Sequence, residues 1–207
     1  MDSLSRTENR DLMAQARESL RGNWGLAVVT FLVFGIVISA VQIVPKAGII
    51  GGLIIAGPMN VGMAIFALAL ARGQNPRLGQ IFEGFRQFGV ALGAYLLMTL
   101  FVFLWYLLLI IPGIIATFAY SQIFYIIAEE PGIGPLQAIR KSKELMHGNK
   151  WKFFCLQLRF IGWWLLCILT FGIGILWLAP YMIVSLAKFY DDIAHPAEAV
   201  VIEEQAM

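Results

Sequence analysis

Few polar groups stand where this chain could use them for chemistry. Arg159 sits about two turns inside an apolar stretch that begins near residue 153. A charge inside a membrane span is costly and often marks a contact with an ion, lipid or substrate. The same long side chain can also snorkel back to the headgroups. Its functional partner would be an anionic lipid headgroup, a substrate or a carboxylate such as Asp191. A second group is Gly57-Pro58, followed by Asn60 and Gly62 and preceded by Gly48, Gly51 and Gly52. Here proline frees a backbone carbonyl, so the pair is a candidate helix break that exposes backbone groups to a ligand. The alternative is a kink packed on a neighbouring helix, with Asn60 bonded to the freed carbonyl. Gln122 is a third candidate for ligand or lipid contact, while Gln42, Gln157, Ser121 and Ser185 suit interhelical hydrogen bonds.

The remaining reactive residue types form no constellation. His147 and His195 have no acid or cysteine at ligand spacing, so no metal site and no nucleophile–base pair is predicted. Cys155 and Cys167 lie in apolar sequence and read as small buried residues. No glycine-rich phosphate loop opens a soluble helix. The sequence therefore predicts a non-enzymatic protein with no cofactor.

The elements that must position these residues follow from hydropathy. Of 207 residues, 59% are hydrophobic and 14% charged, with a net charge of +2. Soluble domains carry about 25% charged residues, so the solvent here is mainly lipid, and the small net charge gives no footprint for nucleic acid. Uncharged runs cover residues 24–45, 47–71, 87–128 and 160–187. A span needs about 20 apolar residues. The third run is long enough for two spans, and so is the fourth once extended to 153–190. Ile111-Pro112-Gly113 and the segment Thr170 to Gly174, with Gly172, supply turns within them. Six spans are expected, at about 24–44, 48–71, 88–111, 113–128, 153–171 and 173–190. The acids and bases ahead of residue 24 argue against a cleaved signal, so the first span is expected to remain as an anchor.

Charge sets the orientation. Arg6, Arg10, Arg17 and Arg21 precede the first span, Arg72, Arg77 and Arg86 follow the second, and Arg140, Lys141, Lys143, Lys150 and Lys152 follow the fourth. The opposite side is left with Lys46 and two uncharged turns. Lysine and arginine flank spans on the cytoplasmic side, so both termini are expected there, in a bacterial cytoplasmic membrane. The same charges could attract anionic lipid.

Each basic segment also carries an apolar stripe at helical spacing. The stripes are Leu12, Ala16 and Leu20; then Leu78, Ile81, Phe82 and Phe85 behind an Asn75-Pro76 start; then Leu136, Ile139 and Met146, with Arg140 and Glu144 spaced for an ion pair. Gly22-Asn23-Trp24 and Gly148-Asn149-Lys150-Trp151 end the first and third segments as helix stops. The expected architecture is all-α, a polytopic membrane helical bundle of three hairpins, each preceded by an amphipathic cytoplasmic helix. It forms one integral membrane domain over 1–207, in units of about 1–71, 72–128 and 129–191 with a cytoplasmic tail at 192–207. Such a repeat occurs in transport folds and also wherever a packing unit has been duplicated.

The order of motifs resembles the family of bacterial integral membrane proteins catalogued as domain of unknown function 975. The resemblance runs through the 16–24 entry, Gly57-Pro58 with Gly62, Ile81-Phe82-Glu83-Gly84-Phe85 and residues 107–116. It continues through Ser142 to Met146 with Gly148 and Trp151, Phe160-Ile161-Gly162-Trp163, residues 170–174 and Ala179-Pro180-Tyr181 before Phe189-Tyr190. It implies a helical membrane protein without an assigned activity, and a small polar residue where Arg159 stands. The membrane region associated with some glycerophosphodiester phosphodiesterases looks similar in its Pro-Gly turn and basic segment, but the catalytic domain for that reaction is not present. The functional expectation is a binding protein for an anionic lipid or a membrane protein partner, within the lipid bilayer and open to homo-oligomerisation. The alternative is a small transporter or carrier for an anionic or amphiphilic substrate.

Overall fold

A computed structural model describes residues 4–42, 48–170 and 172–196. The expected turn residues Lys46 and Phe171, and most of the expected tail, lie outside them. Among the described residues the chain is all-helical: α1 (Asn9–Leu20), α2 (Trp24–Gln42), α3 (Gly48–Ala71), a 3₁₀ segment (Leu78–Gln87), α4 (Phe88–Leu108), α5 (Ile110–Ala119), α6 (Ile123–Glu129), α7 (Pro135–Leu145), α8 (Lys150–Leu169) and α9 (Ile175–Ala194).

Five helical stretches are long and apolar enough to cross a membrane: Trp24–Gln42, Ile50–Ala71, Leu78–Leu108, Ile110–Glu129 and Lys150–Leu169. α9 matches α8 in length but carries Lys188, Asp191 and Asp192 near its end. Burial separates these helices into two classes. Only 11% of the apolar stretch is buried in Trp24–Gln42 and in Leu78–Leu108, and 22% in Lys150–Leu169, against 67% in Ile50–Ala71 and 50% in Ile110–Glu129. α9 is also an inner helix, burying Leu178, Pro180, Tyr181, Val184, Phe189 and Tyr190. The bundle therefore has α3, α5–α6 and α9 at its centre, with α2, α4 and α8 outside. The outer helices leave large apolar side chains bare, including Ile36, Phe103, Leu107, Leu108, Ile168 and Leu169. An apolar surface of this extent marks a lipid or protein contact.

The amphipathic segments pack on the inner helices. α1 lies against α9, the 3₁₀ segment against α3, and α7 against α6 and α4. In α1 the stripe expected from sequence is buried, with Leu12, Ala16 and Leu20 joined by Met13. Gly22 and Gly148 both take positive φ, +84° and +81°, as the left-handed residues that end α1 and α7.

The second segment differs from expectation. It coils as a 3₁₀ helix, in which positions three apart eclipse. Ile81 and Gly84 consequently face inward, while Phe82 and Phe85 are exposed. Arg77, not Asn75, is its N-cap. In α7, Ala138, Ile139 and Ser142 are buried and Leu136 is exposed. The Arg140–Glu144 pair is not found among the described residues; Lys141 pairs instead with Glu130.

The turn expected at Pro112-Gly113 falls earlier, at Leu109, whose backbone is extended at φ −161° and ψ 147°. Pro112 then sits in the first turn of α5, where a backbone N–H would have no intrahelical acceptor and its absence is tolerated. A Cβ at Gly113 would lie 2.6 Å from the Tyr106 ring, so glycine lets α5 fold back on α4. Between α8 and α9, Gly172 has φ +84° and donates to the Cys167 carbonyl at 2.8 Å, while Gly174 caps α9.

Candidate functional site

The glycine-rich helix α3 is continuous from Gly48 to Ala71 with Pro58 inside it, so Gly57-Pro58 is not a break. Its glycines are used for close approach. A Cβ on Gly62 would stand 1.9 Å from the Ile81 carbonyl oxygen, and one on Gly84 would stand 2.0 Å from that of Pro58. A Cβ on Gly57 would meet the Ala91 carbonyl oxygen at 2.4 Å. Asn60 is half-buried and donates from Nδ2 to the carbonyl of Ala56 at 2.7 Å. That is not the Ile54 carbonyl, which Pro58 leaves without its usual i−4 donor.

Gln122 lies at the α5–α6 turn and is 1% exposed. Its Nε2 donates to Ser121 Oγ at 2.9 Å, and Oε1 has no partner among the described residues. The neighbouring Ser142 hydroxyl donates to the Ala119 carbonyl at 2.8 Å and accepts the Gln122 backbone N–H at 3.3 Å, joining α7 to this turn. Arg159 is exposed on α8 between exposed Leu158 and Ile161, and among the described residues it has no hydrogen bond or ion pair. Asn60, Gln122 and Arg159 are not gathered into one site.

The structure instead gathers charges that sequence reading did not connect. Arg72 follows α3, Glu129 ends α6, and Asp191 lies in the last turns of α9. The Arg72 guanidinium donates to Glu129 Oε1 at 2.5 Å and to Asp191 Oδ1 at 2.7 Å. Asp191, suggested above as a partner for Arg159, is thus taken by Arg72. Tyr190 donates its hydroxyl to Glu129 Oε2 at 2.7 Å, and His195 Nε2 lies 2.9 Å from Glu129 Oε1. So His195, although Asp191 and Asp192 stand four and three residues before it, meets Glu129 of α6. Burial opposes the Arg72 charge, but the hydrogen bonds to Asp191 and Glu129 outweigh it and hold the guanidinium's pKa above its ordinary value. Chemically the cluster is a clamp, with both Glu129 oxygens and Asp191 Oδ1 engaged by neighbours.

Asp192, the next residue, makes a second tie. It is 4% exposed and accepts from the hydroxyls of Ser5 and Thr7, the latter at 2.6 Å, with Lys152 Nζ at 3.8 Å. The Ser5 backbone N–H donates to Asn149 Oδ1 at 2.9 Å. The amino-terminal segment is thereby held across the ends of α8 and α9.

A cavity of about 440 Å³ opens between α1, α8 and α9. Trp24, Trp163, Leu166 and Trp177 form apolar walls, and Arg17 and Tyr181 form a polar edge. Arg17 Nη2 donates to the Tyr181 hydroxyl at 3.3 Å, and its guanidinium carbon lies 5.7 Å from the ring centroid. Tyr181 in turn donates to the Met13 carbonyl at 3.3 Å. The sequence carries the tryptophans of this site, Trp24, Trp163 and Trp177, and a basic first segment, but nothing that pairs α1 with α9.

A family model described as "Protein of unknown function (DUF975)" matches residues 1–112 and 106–197. No curated protein and no solved structure matches the chain.

Proposed function

The chain belongs to the DUF975 family of proteins of unknown function, and from that premise we propose that it is a non-enzymatic membrane protein that binds lipid or a membrane partner. It crosses a cytoplasmic membrane six times as three hairpins, with both termini on the cytoplasmic side. The burial pattern supports this topology, because one helix of each proposed hairpin is inner and the other outer. The ion pairs support it too, since Arg72–Asp191, Lys141–Glu130 and Lys152–Asp192 join segments that all fall on one side in this arrangement.

The observation that carries the binding reading is the cavity between α1, α8 and α9, which joins apolar walls to a cationic edge and opens beside the bare outer face of α8. Sites of this kind hold a ligand by apolar contact and orient it with a few polar groups. The carrier alternative drew on a broken α3, and the continuous helix through Pro58 removes that support.

Native mass spectrometry of the protein released from membranes in mild detergent tests the reading. A lipid or protein retained at fixed stoichiometry is the expected outcome. A bare chain, combined with substrate flux in proteoliposomes, would replace binding by carriage.

A further inference from the structure

We propose that the cavity between α1, α8 and α9 holds one anionic phospholipid, with its phosphate on the Arg17 guanidinium and one acyl chain between Trp163 and Trp177. The proposal rests on the lipid-binding reading and names its site and ligand class.

The headgroup assignment comes from Arg17. This residue lies in the last turn of α1, is exposed, and has no ion pair among the described residues. Its neighbour Glu18 is engaged by Arg21 at 3.3 Å. Tyr181 holds Arg17 from below, through the hydroxyl at 3.3 Å and the ring at 5.7 Å. Because Tyr181 is itself 6% exposed and tied to the Met13 carbonyl, the guanidinium is set in place before a ligand arrives. A guanidinium offers five N–H donors in a planar fork that matches a phosphate. Tyr181 occupies one nitrogen and leaves the rest available.

The chain assignment comes from the walls. Trp163, Leu166 and Trp177 line the cavity and are each about half exposed, at 48%, 54% and 52%, so the space is open sideways onto the apolar surface. A ligand that enters from that side comes from the bilayer. The volume of about 440 Å³ lies in the lower part of the range for small-ligand pockets, about 300–1,000 Å³. It suits one acyl chain, leaving the second chain of a phospholipid along the outer face of α8. A zwitterionic lipid fits the walls equally well but brings its own cation to Arg17. The charge therefore selects an anionic headgroup.

The test is native mass spectrometry of the full chain in mild detergent, offered equal amounts of phosphatidylglycerol and phosphatidylcholine. One phosphatidylglycerol per chain is expected. Retention should fall about tenfold in Arg17→Gln, which removes the charge, since one charge-assisted hydrogen bond is worth roughly a decade in affinity. It should fall similarly in Leu166→Trp, which fills the space without touching the charge. Thermal melting of both variants checks that they are folded. Equal retention of the two lipids overturns the headgroup assignment. Undiminished phosphatidylglycerol binding in both folded variants overturns the site while leaving lipid binding elsewhere on the protein intact. Failure to retain either lipid removes both the site and the reading on which it rests.

Discussion

Arg72 and Asp191 meet at 2.7 Å although 119 positions separate them in the chain, and the same guanidinium reaches Glu129 at 2.5 Å. One side chain thus closes the ends of α3, α6 and α9 on each other. All three groups are less than a third exposed, which limits screening by water.

Arg72→Ala should lower the unfolding free energy in detergent by about 2 kcal/mol, within the usual range for hydrogen bonds to charged groups. Arg72→Lys should recover only part of it, because an ammonium cannot fork between two carboxylates. In a thermodynamic cycle with Asp191→Ala, the double variant should lose less than the sum of the singles, by about 1 kcal/mol. Strict additivity would show that the pair does not act as a unit.

Gly62→Ala and Gly84→Ala should each destabilise the protein by about 1–3 kcal/mol, as overpacking does in a close-packed core. Their new methyl groups would stand 1.9 Å and 2.0 Å from backbone oxygens. Gly25→Ala in α2 meets nothing within 4 Å and should leave stability within about 0.5 kcal/mol of the parent or raise it slightly. Equal melting temperatures for all three variants would contradict the close approach of α3 and the 3₁₀ segment.

Asp192→Ala removes the acceptor for the Ser5 and Thr7 hydroxyls and for the Thr7 backbone N–H at 3.3 Å. Hydrogen exchange followed by mass spectrometry should show exchange in residues 4–8 accelerated by about tenfold. The interior of α3 should be unaffected. Unchanged protection at the amino terminus would mean that Asp192 does not hold it.

With Cys155 and Cys167 replaced by serine, single cysteines at positions 77 and 140 should react with an impermeant maleimide only from the cytoplasmic side. A cysteine at position 173 should react only from the other side. Labelling of all three from one side would mean that α8 does not cross, and would rule out six crossings.

Arg159→Leu should alter stability by less than about 0.5 kcal/mol, because the side chain is exposed and has no partner among the described residues. A larger loss, seen in lipid but not in detergent, would mean that the bilayer supplies a partner for Arg159.

Much of the fold was legible residue by residue. The start of α2 at Trp24, the extent of α3, the buried face of α1 and the left-handed Gly22 and Gly148 each depend on properties of one short segment. Apolar length, periodicity and the permissiveness of glycine act locally, so they are written locally. Reading went astray where two segments compete for the same space. Gly62 and Gly84 bring a backbone so close to α3 that the inward stripe of the 3₁₀ segment runs through Ile81 and Gly84 and leaves Phe82 and Phe85 outside. The bend at Leu109 leaves Pro112 in a helix start, a role that a Pro-Gly pair shares with a turn.

What the amino-acid sequence by itself determined is that the protein is helical, apolar enough to cross a membrane, and basic along the segments between its apolar runs. What only the tertiary structure decided is which charges meet. Arg72, Glu129 and Asp191 sit at three separate helix ends, and Arg17 and Tyr181 on the first and last helices. A partly buried charge needs a partner wherever the chain can bring one. That choice depends on how whole helices pack, and no spacing along the chain records it.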